Sequence, residues 1–198
     1  MNSRFRVAAA IGLSFLLSGC ALAVVGGAAT VGVGAAEERG FESTMEDTKI
    51  DADISQRWLQ HSFSLFKDIT LNIVEGRVML TGSVEKSETR ADAVRLAWQA
   101  PGVRQVLDEI QVTDQSGFRS YMQDSWIAEK LRERLRFDQH IKNINYKFDV
   151  ENGVIYLIGI AQDQAEKDLV LAHARDINDV KRVVDHVQLK ADRRRQGA

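Results

Sequence analysis

The side chains able to do chemistry are few and far apart. Cys20 is the only cysteine in 198 residues, so no disulfide can close within the chain and its thiol is the one strong nucleophile. The four histidines, His61, His140, His173 and His186, show no i, i+4 pairing with a third donor of the kind that holds a metal. Serines and threonines occur without a nucleophile elbow. Gly76 and Gly82 bracket an expected strand, whereas a phosphate-cradling loop opens a helix. The acid pair Glu37-Glu38 falls in a polar linker. These residues predict no enzyme, no cofactor and no metal.

The setting of Cys20 suggests another use for its sulfur. Arg4 and Arg6 precede an apolar run from Val7 to Leu17, and small residues follow. A positive start, a short apolar core and small residues at the cut make a secretory signal peptide. The run is too short for a permanent span, which needs about 20 apolar residues. Leu17-Ser18-Gly19-Cys20 resembles the bacterial lipobox, which implies loss of residues 1–19 and diacylglycerol on Cys20. A free thiol at such a junction has no core to sit in. Each buried methylene contributes about 0.8 kcal/mol, so two or three acyl chains hold firmly where one holds marginally. Ala21 stands where, by the same resemblance, Asp would retain the protein at the inner membrane. The expectation is a lipid-anchored, periplasm-facing protein of the outer membrane.

The net charge of −2 argues against nucleic acid as a partner. Its distribution is uneven: +2 over residues 1–36, −6 over 37–117 and +2 over 118–198. The basic C-terminal half suggests that the two halves meet different partners.

Residues 20–46 read as the acylated cysteine followed by an uncharged Ala/Gly/Val leash and a polar linker. From Asp47 on, one ungapped offset of 77 residues pairs Ile50 with Ile127, Gly76 with Gly153, Leu80 with Leu157, Gly82 with Gly159, Val106 with Val183 and Asp108 with Asp185. An internal repeat of this size is a tandem pair of small domains, here 47–113 and 124–190, with 114–123 as joint and 191–198 as a solvated basic tail. Each copy opens on a helical stripe, Ile50, Ile54 and Trp58 or Ile127, Leu131 and Leu135. Alternating residues then meet a Glu75-Gly76 or Asn152-Gly153 turn, where both positions need positive φ. Gly82 and Gly159 are expected to break the return strand. A second helix, on Ala91, Val94 and Ala97 or Asp168, Leu171 and Ala174, leads to a last strand ending at Val112 or Leu189. The fold class is α+β: helix-strand-strand-helix-strand, with both helices on one face of a three-stranded mixed sheet. Units of about 65 residues are marginal alone, so the two are expected to pack on each other.

Gly76-x-Val78-x-Leu80-x-Gly82, then a helix and Gly102-Val103-x-x-Val106, resembles the BON domain. The second copy repeats it, with Asp179 in place of a loop glycine. Together with the lipobox and leash, the chain resembles the dual-BON outer-membrane lipoproteins. That resemblance implies binding of anionic phospholipid through the first helix of the second domain, and support of envelope integrity.

Trp126, Lys130 and Arg134 lie at i, i+4, i+8 on that helix, beside its core stripe. An amphipathic Trp ring suits a membrane interface, and each nearby cation gains about 1 kcal/mol against anionic headgroups. The matching positions in the first copy are Lys49, Asp53 and Arg57. Two readings stand: a lipid contact, or an adaptor holding another envelope protein with Trp126 buried at the joint. An exposed Trp126 favours the first and an interfacial one the second.

Overall fold

The protein was analysed as a computed structural model, which describes residues 40–113, 118–192 and 195. Cys20, the signal segment and the leash up to residue 39 lie outside the described residues, as do 114–117 of the joint and Arg193 and Arg194 of the tail.

Helix α1, Gly40–His61, begins earlier than the expected linker boundary at residue 46. Between Phe41 and His61 the chain has no Gly or Pro to stop a helix, and Glu42 suits its positive N-terminal end. Ile50, Ile54 and Trp58 are all buried, as their spacing predicts. A short helix α2, Phe63–Asp68, drives Leu65 into the same core before strand β1, Ile69–Val74. Glu75 and Gly76, at φ 54° and 72°, turn the chain into β2, Arg77–Val84, antiparallel to β1. Helix α3, Ser87–Trp98, crosses to β3, Gln105–Asp108, which pairs parallel with β2.

The second copy repeats this course. Helix α4, Phe118–Phe137, is followed by a 3-10 turn, Asn143–Asn145. Then come β5, Tyr146–Glu151, β6, Val154–Ala161, helix α5, Gln164–Arg175, and β7, Arg182–Leu189. Asn152 and Gly153 both take positive φ, as the Asn-Gly pair requires. Asp179 keeps the left-handed turn, at φ 69° against 91° for Gly102, so the missing glycine leaves the loop unchanged in kind.

Three expectations are corrected. Gly82 and Gly159 do not end their strands: β2 and β6 run through them, opposite Ile69 and Tyr146. The last strand of the first copy is not continuous. A separate β4, Gln111–Val112, pairs β2 further along, opposite Ser83 and Val84. The break falls where the Asp108 carboxylate accepts from Arg90 Nε at 2.8 Å and from the Ile110 N–H at 3.3 Å. The second helices are corrected at one place each: Ala97, Leu171 and Ala174 are buried and Val94 packs partly on the core as expected, but Ala91 and Asp168 are exposed, and Ala93, Leu96 and Val170 are buried.

Each domain has its own core between helices and sheet. One is built on Ile54, Trp58, Val78 and Leu80, the other on Ile127, Leu131, Ile155 and Leu157. A third core joins the domains. Val74, Met79, Tyr156, Ile158 and Ile160 pack together, so the helix-free faces of the two sheets lie against each other. The result is four layers, helices outside and two sheets within.

Part of this sheet-to-sheet contact is polar. The Thr81 hydroxyl donates to Asp149 Oδ2 at 2.5 Å, and the Ser83 hydroxyl donates to Glu151. The Asn152 amide donates to Gln111 Oε1 at 2.9 Å, and the Arg77 guanidinium to the His186 carbonyl at 2.8 Å. Burial pushes the carboxyl groups of Asp149 and Glu151 above their ordinary range, against the opposing pull of the hydroxyls. A raised carboxyl binds more protons folded than unfolded, so its stabilising effect is fullest below the ordinary pKa near about 4 and is lost as pH rises through the folded value. Asp149→Asn keeps an acceptor for Thr81 and removes the buried charge. Chemical denaturation at about pH 4 and about pH 7 should show stability raised at the higher pH and the loss between them reduced.

Candidate functional site

Helix α4 is fixed from inside. Ile127, Leu131 and Leu135 enter the core, and the Asp124 carboxylate accepts from the N–H groups of Asn152 and Gly153 at 2.8 and 2.7 Å. Asp47 on α1 does the same for Glu75 and Gly76, at 2.9 and 2.8 Å. Each hairpin turn is thus held to its domain's first helix, about two turns from where that helix begins. The outer side of α4 is then set by rotation of about 100° per residue.

That outer side carries Trp126, which is 44% exposed, with Met122 one turn before it at 54%; Tyr121, 69% exposed, lies on the flank. Phe137 closes the helix at 75% exposure. The candidate residues part here. Lys130 stays at the surface, with its ammonium 3.0 Å from Glu133 Oε2. Arg134 does not join it. Its guanidinium reaches the C-terminal end of α5, donating to the His173 carbonyl at 3.1 Å, to Asp176 Oδ2 at 2.9 Å and to the Asp176 carbonyl at 3.2 Å. Eight residues turn a helix about 80° past two full turns, which carries Arg134 from the Trp126 side towards the core side. Its positive charge suits the negative end of α5, so its evident work is joining two helices. Arg132 lies 5.7 Å above the Phe148 ring and bonds Glu129 at 2.5 Å.

Tyr121, Met122 and Phe137 were missed in the sequence reading. The signal was present: apolar residues at 122, 126 and 137 share the side opposite the core stripe, where an ordinary surface helix is polar.

The histidines are tied to carboxylates. His61 meets Asp92 at 3.1 Å, His173 meets Asp138 at 2.8 Å, and His186 crosses between domains to Glu109 at 2.8 Å. His140 lies 3.2 Å from Asp138. The bond from His173, then the backbone N–H of His140, hold the Asp138 carboxyl below its usual range. Among the described residues there is no group of three or more His, Cys, Asp or Glu placed to hold a metal. Nor, among them, is any helix long and apolar enough to cross a membrane. The tail also departs from expectation. Arg195 is not solvated but forms an ion pair with Glu75 at 2.7 Å, both side chains nearly buried, and so clasps the second domain to the first hairpin.

Comparison with known proteins agrees with the repeat. The BON domain model matches residues 46–114 and again 123–191. The chain is 35% identical over 153 residues to an "Uncharacterized protein in gshII 5'region" of Anaplasma centrale, covering 77% of this chain and 100% of that one. It is 28% identical over 182 residues to "Outer membrane lipoprotein DolP" of Haemophilus influenzae, covering 90% and 93%. It is 26% identical over 148 residues to "Osmotically-inducible protein Y" of Escherichia coli, covering 74% of each. With two such matches spread over most of its length, the chain belongs to the BON domain family and carries two copies of the domain in tandem.

Proposed function

We propose that this chain is an envelope lipoprotein, anchored to the outer membrane through acylated Cys20 and facing the periplasm. There it binds anionic phospholipid through α4 of its second domain and supports envelope integrity. The observation that carries the reading is the outward side of α4. Met122 and Trp126 stand exposed together, one turn apart, where a helix of a soluble domain is normally polar, with Tyr121 exposed on the adjoining flank. An amphipathic ring beside Lys130 fits the boundary between headgroups and acyl chains. Arg134 is left to its bond with α5, so the contact set is Met122, Trp126 and Lys130, at i, i+4, i+8. The name of the Haemophilus relative, an outer membrane lipoprotein, supports the anchor and the location.

The alternative, an adaptor with Trp126 buried at the joint, is less well supported. The domains meet through their sheets, and Trp126 lies outside that contact.

A chain beginning at residue 21 keeps every described residue and lacks the anchor, so it isolates the contribution of α4. It should sediment with vesicles of equal parts phosphatidylglycerol and phosphatidylcholine and remain in solution with phosphatidylcholine alone. Trp126→Glu should lower the partition by about tenfold or more, and Lys130→Glu by about fivefold, the order expected for one interfacial ring and one cation. Full binding by both variants would sink the α4 contact.

A further inference from the structure

We propose that the membrane contact continues on to the first domain, through Phe63 and Phe66 of α2. The inference rests on the reading of α4 as a lipid-contact helix and extends it across the gap between the domains.

Helix α2 and the first turns of α4 are opposite walls of one cleft of about 540 Å³, with Lys67 and Asp68 on one side and Tyr121 and Ser125 on the other. Tyr121 is 69% exposed, lies next to Met122 in the first turn of α4 about 100° around the helix, and borders the cleft directly. On α2 of the first domain, Phe63 is 65% exposed and Phe66 46% exposed. Leu65 points into the core, so Phe63 and Lys67, one turn apart, lie on the opposite, outward side of this short helix. Lys67 and Tyr121 border the cleft from the two domains, and Phe63 lies on the Lys67 side of α2, one turn away.

The internal repeat provides a control. The residues 77 positions after Phe63 and Phe66 are His140 and Asn143, and Arg136 stands for the exposed Leu59. One copy folds with polar groups at all three places, so the fold does not require rings there. Exposed aromatic residues that the architecture does not need mark a surface that meets something apolar.

A lipid bilayer suits this surface because it combines exposed rings with an exposed cation, Lys67, which follows Phe66 on the same helix. The carboxylates deeper in the cleft do not present open negative charge to headgroups. Asp124 is bound to the second hairpin turn, while Asp149 and Glu151 each accept from a hydroxyl. Burial also favours the neutral form of these last two. Asp68 lies 3.5 Å from the Lys67 ammonium. Two apolar footholds on domains joined through their sheets would fix the orientation of the protein against the bilayer, which α4 alone would leave free to roll.

The test uses the chain from residue 21 and vesicles of equal parts phosphatidylglycerol and phosphatidylcholine. Phe63→Ser with Phe66→Ser should lower the partition about tenfold, and Phe63→Leu with Phe66→Leu should stay within about twofold of the parent. Because both rings are exposed, the thermal midpoint of either pair should match the parent. A second readout needs no loss of binding. Phe63→Trp, placed in a chain with Trp98→Phe and Trp126→Phe, should be quenched by brominated acyl chains. If the serine pair binds like the parent while Trp126→Glu loses binding, or if the new Trp stays bright on bound protein, the first-domain contact is overturned and the α4 reading stands. If Trp126→Glu also binds in full, the α4 reading falls as well. A protein docked on Phe63 and Phe66 in place of lipid would leave vesicle partition unchanged, and would likewise overturn the proposal.

Discussion

Gly82→Ala should unfold the first domain. Gly82 sits inside β2 opposite Ile69, where the chain passes from α2 into β1. A methyl group there would lie 2.2 Å from the Asp68 carbonyl oxygen and 3.2 Å from Ile69 Cα. Both obstacles are backbone, held by a helix on one side and a strand on the other. The residue also sits at φ +125°, a conformation closed to side-chain-bearing residues. Strain and overpacking together should destabilise by about 4 kcal/mol or more, a large share of the roughly 5–15 kcal/mol that holds an ordinary domain together. The buried Trp58 reports this domain, so its fluorescence should shift to that of an exposed ring at temperatures where the parent is folded. Gly159→Ala is a built-in comparison. The added carbon would meet the Asn145 carbonyl oxygen at 2.5 Å, without the positive φ. A smaller loss is expected there. A Gly82→Ala protein with the parent's melting temperature would show that the α2–β1 passage gives way easily.

Asp124→Ala is the second large effect. Both of its carboxylate oxygens are engaged, one by the N–H of Asn152 and one by that of Gly153. A charged acceptor strengthens each bond to about 1.5–3 kcal/mol, and its removal leaves two turn N–H groups without their partner. The expected loss is about 3–5 kcal/mol in the second domain. Asp124→Asn, with one oxygen for two donors, should fall between the variant and the parent. Asp47→Ala should do the same to the first domain, since Asp47 is the repeat partner of Asp124 and makes the same pair of bonds. Urea titration of the four proteins checks the series. A loss below about 1 kcal/mol for Asp124→Ala would place this pair with ordinary surface bonds.

Much of the fold was legible because the repeat states each feature twice. Spacing placed the core stripes of α1 and α4, and Asn152-Gly153 placed a hairpin. What escaped was whatever depends on a neighbour. The aspartates at 47 and 124 aligned at the repeat offset, but nothing local says that a helix carboxylate caps a turn 28 residues on. The two glycines looked like strand ends because a close backbone approach is invisible until the passing chain is in place. The sheet contact did have a sign in the sequence. Val154 to Ala161 carries no polar side chain at any position, the pattern of a strand covered on both faces, Tyr156 apart. At the candidate site, Trp126 and Lys130 follow from the helical spacing, whereas the diversion of Arg134 depends on where α5 ends.

The divided character of the sheet contact bears on which domains can pair. By the 77-residue offset, Thr81 and Ser83 correspond to Ile158 and Ile160, while Asp149 and Glu151 correspond to Asn72 and Val74. Two second domains brought together in the same geometry would press Ile158 on Asp149 and Ile160 on Glu151. Two acids would then be sealed against hydrocarbon with no hydroxyl to receive, a mismatch that discourages like from joining like. The second domain is in this way selective for the first. Wherever copies of the chain are concentrated, that mismatch keeps second domains from associating with one another and leaves a first domain as their fitting mate.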